Sequence, residues 1–122
     1  MNADRFLKLA DHLEFGQLGH KRFDMNYFNT HSSAAWKCGT AGCALGECPI
    51  VFPRHWKFEY GSVLLRGSSV NHHGFGVSGF NAAAKFFDVD YGHIYDLFMP
   101  HNSGKNSRRD VARRIRRFVR NY

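Results

Sequence analysis

Ser107-Arg108-Arg109-Asp110-Val111-Ala112-Arg113-Arg114-Ile115-Arg116-Arg117-Phe118-Val119-Arg120 joins a helix-start signal to a clear apolar period. Ser107 and Asp110 fit the capping-box pattern, with Asp at the third helical position in place of Glu or Gln. Val111, Ala112, Ile115, Phe118 and Val119 fall on an arc of about 120° when each residue turns about 100°. The spacing predicts a basic amphipathic helix over 107–120, apolar towards a core. Arg109, Arg113, Arg116 and Arg120 form a stripe beside the apolar arc. Such a helix belongs to a helical domain.

Working backwards from it, other segments carry the same period. Ile94, Leu97 and Phe98 share the face of a short helix after Asp90, which Pro100 closes. Phe80, Ala83, Ala84 and Phe87 share the face of another. At the start of the chain, Phe6, Leu9, Ala10 and Leu13 recur at i, i+3, i+4, i+7 over residues 4–14. Asn2 or Asp4 can cap that helix, and Gly16 ends it.

The middle of the chain is organised around Trp36-Lys37-Cys38-Gly39-Thr40-Ala41-Gly42-Cys43-Ala44-Leu45-Gly46-Glu47-Cys48-Pro49. We read a tight loop and then a short helix from Thr40 to Glu47, with Thr40 as N-cap and Pro49 as the stop. Gly39, Gly42 and Gly46 leave little side-chain bulk, so another element can approach the backbone closely. Residues 17–35 read as irregular, pinned to the core by Phe23, Met25, Tyr27 and Phe28. Pro53 to Phe58 can open a helical turn. Val63-Leu64-Leu65 reads as a short strand, pairing with Gly74–Val77. The expectation is a mainly α (α+β), small single-domain helical fold over 1–122, with at most a short β-hairpin.

Trp36, the run Cys38–Gly46 (CGTAGCALG) and the segments around it resemble a group of small phage and bacterial proteins with no established function. In that group a W-x-CGTxxCxxG segment follows an FDM segment, here Phe23-Asp24-Met25. A GFxAAAxFF helix (Gly79 to Phe87), an LF pair (Leu97-Phe98) and a VAxRIRxFV helix (Val111 to Val119) come after it. The resemblance spans roughly residues 23–119. It implies an intact single-domain protein carried by a phage or another mobile element, and a structural motif of Trp36, Cys38, Gly39, Thr40, Cys43 and Gly46. It implies no activity.

Composition narrows the function classes. The chain has 122 residues, 43% of them hydrophobic and 16% aromatic, including 12 Phe. That supports one core built by aromatic packing. No run approaches the roughly 18 apolar residues of a membrane span. The N-terminal stretch lacks the apolar core of a signal peptide, which makes the cytoplasm the expected location, in a host cell if the chain is phage-encoded. Three Cys in that setting suggest reduced thiols, not a disulfide framework. The net charge of +7 lies entirely in residues 101–122. A charge so localised points to an anionic partner.

Three constellations could carry chemistry. Cys38, Cys43 and Cys48 are five residues apart, a poor fit to zinc spacing, and His20, His31 and His55 make no ligand pair with them. Buried thiols beside glycines are the simpler reading, so no metal and no cofactor is expected. Cys43 near a helix start, with His73 (or His72) on a strand and Asp88 or Asp90 to orient it, has the layout of a thiol hydrolase or transferase. The chain lacks the motifs around such sites, and the function expected of it is non-catalytic. The arginines make the third constellation: Arg109, Arg113, Arg114, Arg116, Arg117 and Arg120. After Asp110 no acid on that helix offsets them, and Arg suits bidentate contact with phosphate or carboxylate. Nucleic acid is the expected partner. An acidic protein surface, in a host-modulating role, is the alternative. A membrane surface is excluded because the apolar arc is committed to the core.

Overall fold

The computed structural model describes residues 1–18, 22–23, 41–42, 44–59, 62–66, 79–99 and 107–122. Five α-helices dominate them: α1 (Ala3–Phe15), α2 (Cys48–Val51), α3 (Gly79–Phe87), α4 (Tyr91–Phe98) and α5 (Arg108–Asn121). Strand content is small. β1 (Arg22–Phe23) meets β2 (Ala41–Gly42) in a two-residue parallel pair. β3 (Trp56–Glu59) and β4 (Ser62–Leu65) form an antiparallel hairpin, with Trp56 opposite Leu65 and Glu59 opposite Ser62. Over the described residues the fold is mainly α with one short hairpin, the class the periodicities predict.

α1 begins where the Asn2 side chain accepts a hydrogen bond from the Arg5 backbone N–H at 3.1 Å. One of the helix's orphan donors is thereby satisfied. Its buried face is Phe6, Leu9, Ala10 and Leu13, the four residues the spacing selects. α5 lies antiparallel to it. Arg108, at the start of α5, meets the α1 C-terminus at Leu13 and Gly16, while Phe118 meets Phe6 near the α1 start.

In the core between these helices and α3, α4 and the hairpin, aliphatic side chains surround six aromatic ones, Phe6, Phe52, Trp56, Phe86, Phe87 and Phe98. Phe6 stacks on Phe87 with centroids 4.3 Å apart and an interplanar angle of 10°. Phe52 and Trp56 pack edge-on against Phe86 at 4.8 and 5.4 Å. Offset and edge-to-face pairs of this kind each add about 0.5–1.5 kcal/mol beyond their buried area. α3 ends against the start of α1: the Asn2 N–H donates to the Phe87 carbonyl (2.8 Å) and the Arg5 guanidinium to the Phe86 carbonyl (2.7 Å). Asp88 takes the left-handed conformation (φ 56°), and the Val89 N–H reaches back to the Ala84 carbonyl. This is a Schellman-type helix end, built on Asp where Gly is commoner.

Several expectations are corrected. The helix expected from Thr40 to Glu47 does not form over its described part. Ala41–Gly42 is strand, and Leu45–Glu47 is one 3₁₀ turn. Pro49 does not stop a helix: it lies in the first turn of α2, and Cys48 before it is helical (φ −57°, ψ −41°). First-turn N–H groups have no intrahelical acceptor, so Pro opens a helix without losing a bond. Pro53 opens a single turn, closed by the His55 and Trp56 N–H groups on the Phe52 carbonyl, and from Trp56 the chain is strand, with Trp56–Glu59 paired to β4. Residues 74–77 lie outside the described residues. On α3 the buried face is Ala82, Ala83, Phe86 and Phe87, with Phe80 and Ala84 only half-buried at its edge. Phe86 is drawn in because Phe52, Trp56 and Phe87 surround it.

Candidate functional site

α5 is fixed at its start by a complete capping box. The Asp110 N–H donates to the Ser107 hydroxyl at 3.1 Å, and the Asp110 carboxylate accepts from the Ser107 N–H (3.1 Å) and hydroxyl (2.7 Å). Those two bonds, aided by Arg113 and Arg114, hold the Asp110 carboxyl below its ordinary pKa. Val111, Ala112 and Ile115 are buried, and Phe118 and Val119 pack against the core from its edge. With one face committed, the arginines divide by position into two groups.

The first group faces back into the molecule. Arg108 donates to the carbonyls of Leu13, Gly16 and His12, closing the C-terminal end of α1. Arg114 donates to the Leu97 carbonyl (2.8 Å) at the end of α4, and burial draws its pKa below the usual arginine value. Arg116 bridges two acids of α1, Asp11 at 2.8 Å and Glu14. The Asp11 hydrogen bond, with that to Glu14, raises the Arg116 pKa. The exposed Phe15 ring lies 5.8 Å from the Arg116 guanidinium, within cation–π reach. Acids that α5 lacks are thus supplied by α1.

The second group is Arg109, Arg113, Arg117 and Arg120. All four are exposed, and among the described residues only Arg113 faces an acid, the Asp110 carboxyl one turn before it. At about 100° per residue they occupy an arc of roughly 80°, nearly opposite the buried face. The six arginines expected to bind an anion therefore separate into four open to solvent and two, Arg114 and Arg116, engaged internally.

Beside this arc a groove of about 440 Å³ runs between α4 and α5. His93, Phe118 and Tyr122 line it with their rings, and Arg117 borders it. The apolar arc places Phe118 in the core, and no expectation falls on Tyr122. Their i, i+4 spacing on one helix was the available signal. A second open groove of about 390 Å³ lies by Met1, Arg5, Lys85 and Asp88, where charges of both signs alternate.

The other candidates are distributed as follows. Trp36, Cys38, Gly39, Thr40, Cys43, His72 and His73 lie outside the described residues, as do His20 and His31. Gly46 is buried in the 3₁₀ turn, and Cys48 is a buried free thiol. Asp88 is 86% exposed, 3.6 Å from the N-terminal ammonium, and Asp90 opens α4 as its N-cap. His55 is exposed against the Phe86 ring. Among the described residues no group of three His, Cys, Asp or Glu could hold a metal ion. One pairing had no sequence signal: Glu47, almost fully buried, accepts from or pairs with His12 at 2.8 Å.

No family model, no curated protein and no solved structure matches the chain. Among the described residues no helix is long and apolar enough to cross a membrane. What the fold and the arginines define is a small mainly-α domain with a cationic helix face.

Proposed function

We propose that the protein is a non-catalytic binding module that takes an anionic partner, nucleic acid first, on the Arg109–Arg113–Arg117–Arg120 face of α5. The observation that carries this reading is the exposed single-sign arc. Four like charges on one short helix repel one another, and among the described residues Asp110, beside Arg113, offsets only part of that charge. Phosphates would offset them. Arg presents a planar fork that grips a phosphate by two parallel hydrogen bonds. Contacts of this kind position a protein on a duplex without reading its sequence. The resemblance to phage and mobile-element proteins supports an accessory role in a host cell's cytoplasm.

Binding should be weak in sequence preference and steep in salt. Each neutralised phosphate on duplex DNA contributes about 0.9 to the log–log salt slope, so four arginines give a slope of about −3.6. Replacing Arg109, Arg113, Arg117 and Arg120 by Gln should flatten that slope. The fold should survive, because Gln is nearly as good a helix former as Arg and Arg108, Arg114 and Arg116 keep their internal contacts. A wild-type protein that ignores DNA and RNA at low ionic strength would overturn the nucleic-acid reading and leave the face to an acidic protein surface.

A further inference from the structure

Resting on that reading, we infer that the groove between α4 and α5 receives an unstacked base, so that the nucleic acid bound is single-stranded. Three observations converge on this occupant.

The groove is aromatic, and one of its rings, Tyr122, is largely open to solvent. His93, Phe118 and Tyr122 lie 5.1–5.9 Å apart, with interplanar angles of 51°, 71° and 63°. The rings meet edge-on or tilted with none stacked on another, and Tyr122 is 62% exposed. Every base has a π-face, so stacking on such rings is sequence-tolerant and is a general device for holding single strands. At about 440 Å³ the groove falls within the roughly 300–1,000 Å³ of small-ligand sites.

The groove is joined to the arginine arc through one residue. Arg117 is both the edge of the exposed quartet and part of the groove wall. A strand whose phosphates follow Arg113, Arg117 and Arg120 therefore has its bases beside the rings. A duplex keeps its bases stacked inward and could use only the arginines.

The groove's polar groups suit a base better than a phosphate. Arg114, on the inner side of the groove, has its guanidinium directed to the Leu97 carbonyl. The carboxamide of Asn121, at the groove's edge, both donates and accepts.

The test compares oligodeoxycytidylate with an abasic strand of equal length, which carries the same phosphates, for the wild type, Tyr122→Ala, Tyr122→Phe and the four-arginine Gln variant. Wild type should bind the base-bearing strand about 5–150-fold tighter, the range expected of one stacked base. Tyr122→Ala should bring the two strands to near-equal affinity, and Tyr122→Phe should keep most of the preference. Equal wild-type affinity for both strands, or a preference untouched by Tyr122→Ala, overturns the inference. If binding then still depends on salt and on the four arginines, the phosphate reading stands alone. If neither strand binds at low salt, both fall.

Discussion

Phe6 is the residue whose loss tests the architecture most directly. It is fully buried on α1, stacked on Phe87 of α3 and edge-on to Phe118 of α5 at 5.5 Å. Truncating a buried Phe to Ala costs about 3–5 kcal/mol. Here two ring pairs are lost at once, which places Phe6→Ala in the upper half, about 4–5 kcal/mol. A domain of this size has a total of roughly 6–18 kcal/mol. At about 2.1 cal/mol/K per residue, 122 residues unfold with an entropy near 0.26 kcal/mol/K, so Tm should fall by about 16–20 °C. Phe6→Leu keeps most of the volume and loses the ring pairs, and should cost about 1–2 kcal/mol. Thermal melting followed by circular dichroism, with urea titration at one temperature, measures both. A Phe6→Ala loss under about 2 kcal/mol would refute the three-helix node, because a fully packed ring cannot be removed so cheaply. A second readout is available. Phe118 also borders the groove, so Phe6→Ala should disturb the His93 and Tyr122 resonances while leaving those of Arg109 unmoved.

Two further outcomes follow from the charged groups. Arg116→Gln should destabilise by about 1 kcal/mol, since it breaks two partly exposed ion pairs, whereas Arg109→Gln should change stability by less than about 0.5 kcal/mol; equal effects would contradict the division of the arginines into two groups. The Asp110 carboxyl is held below its ordinary pKa of 3.8, so its cap contributes fully above that value and is lost as pH falls through the folded pKa. Below pH ~4, urea midpoints of the wild type should therefore approach those of Asp110→Asn, and an acid limb of equal steepness in both would count against the capping box.

The two terminal helices were legible because local chemistry and periodicity agree there. Asn2 and the Ser107–Asp110 pair are caps by their own side chains, and the apolar period continues directly from each. Pro49 was not legible. A Pro after a glycine-rich run fits the end of one helix and the first turn of the next equally well, and only tertiary packing decides. The strand Trp56–Glu59 was hidden in the same way behind Pro53, although a buried Trp56 followed by a half-buried Lys57 is a strand's alternation. Of the candidate site, the run of arginines was plain and its division was not. Arg116 looks like Arg113 or Arg120 on a helical projection. What removes it from the exposed set is a pair of acids on α1, 102 and 105 positions away. The carbonyls held by Arg108 are 92–96 positions distant and leave no local trace.

The antiparallel packing of α1 on α5 also bears on how the chain acquires its structure. The first helix finds its main partner only about a hundred residues later. Closing so long a loop must precede the contacts that reward it, which slows the search for the native state relative to a bundle of neighbouring helices. During synthesis the Phe6 face of α1 leaves the ribosome long before α5 exists to cover it. In that interval the apolar stripe Phe6, Leu9, Leu13 is exposed to other chains, and yield in expression should be limited by aggregation of this intermediate more than by the stability of the finished fold.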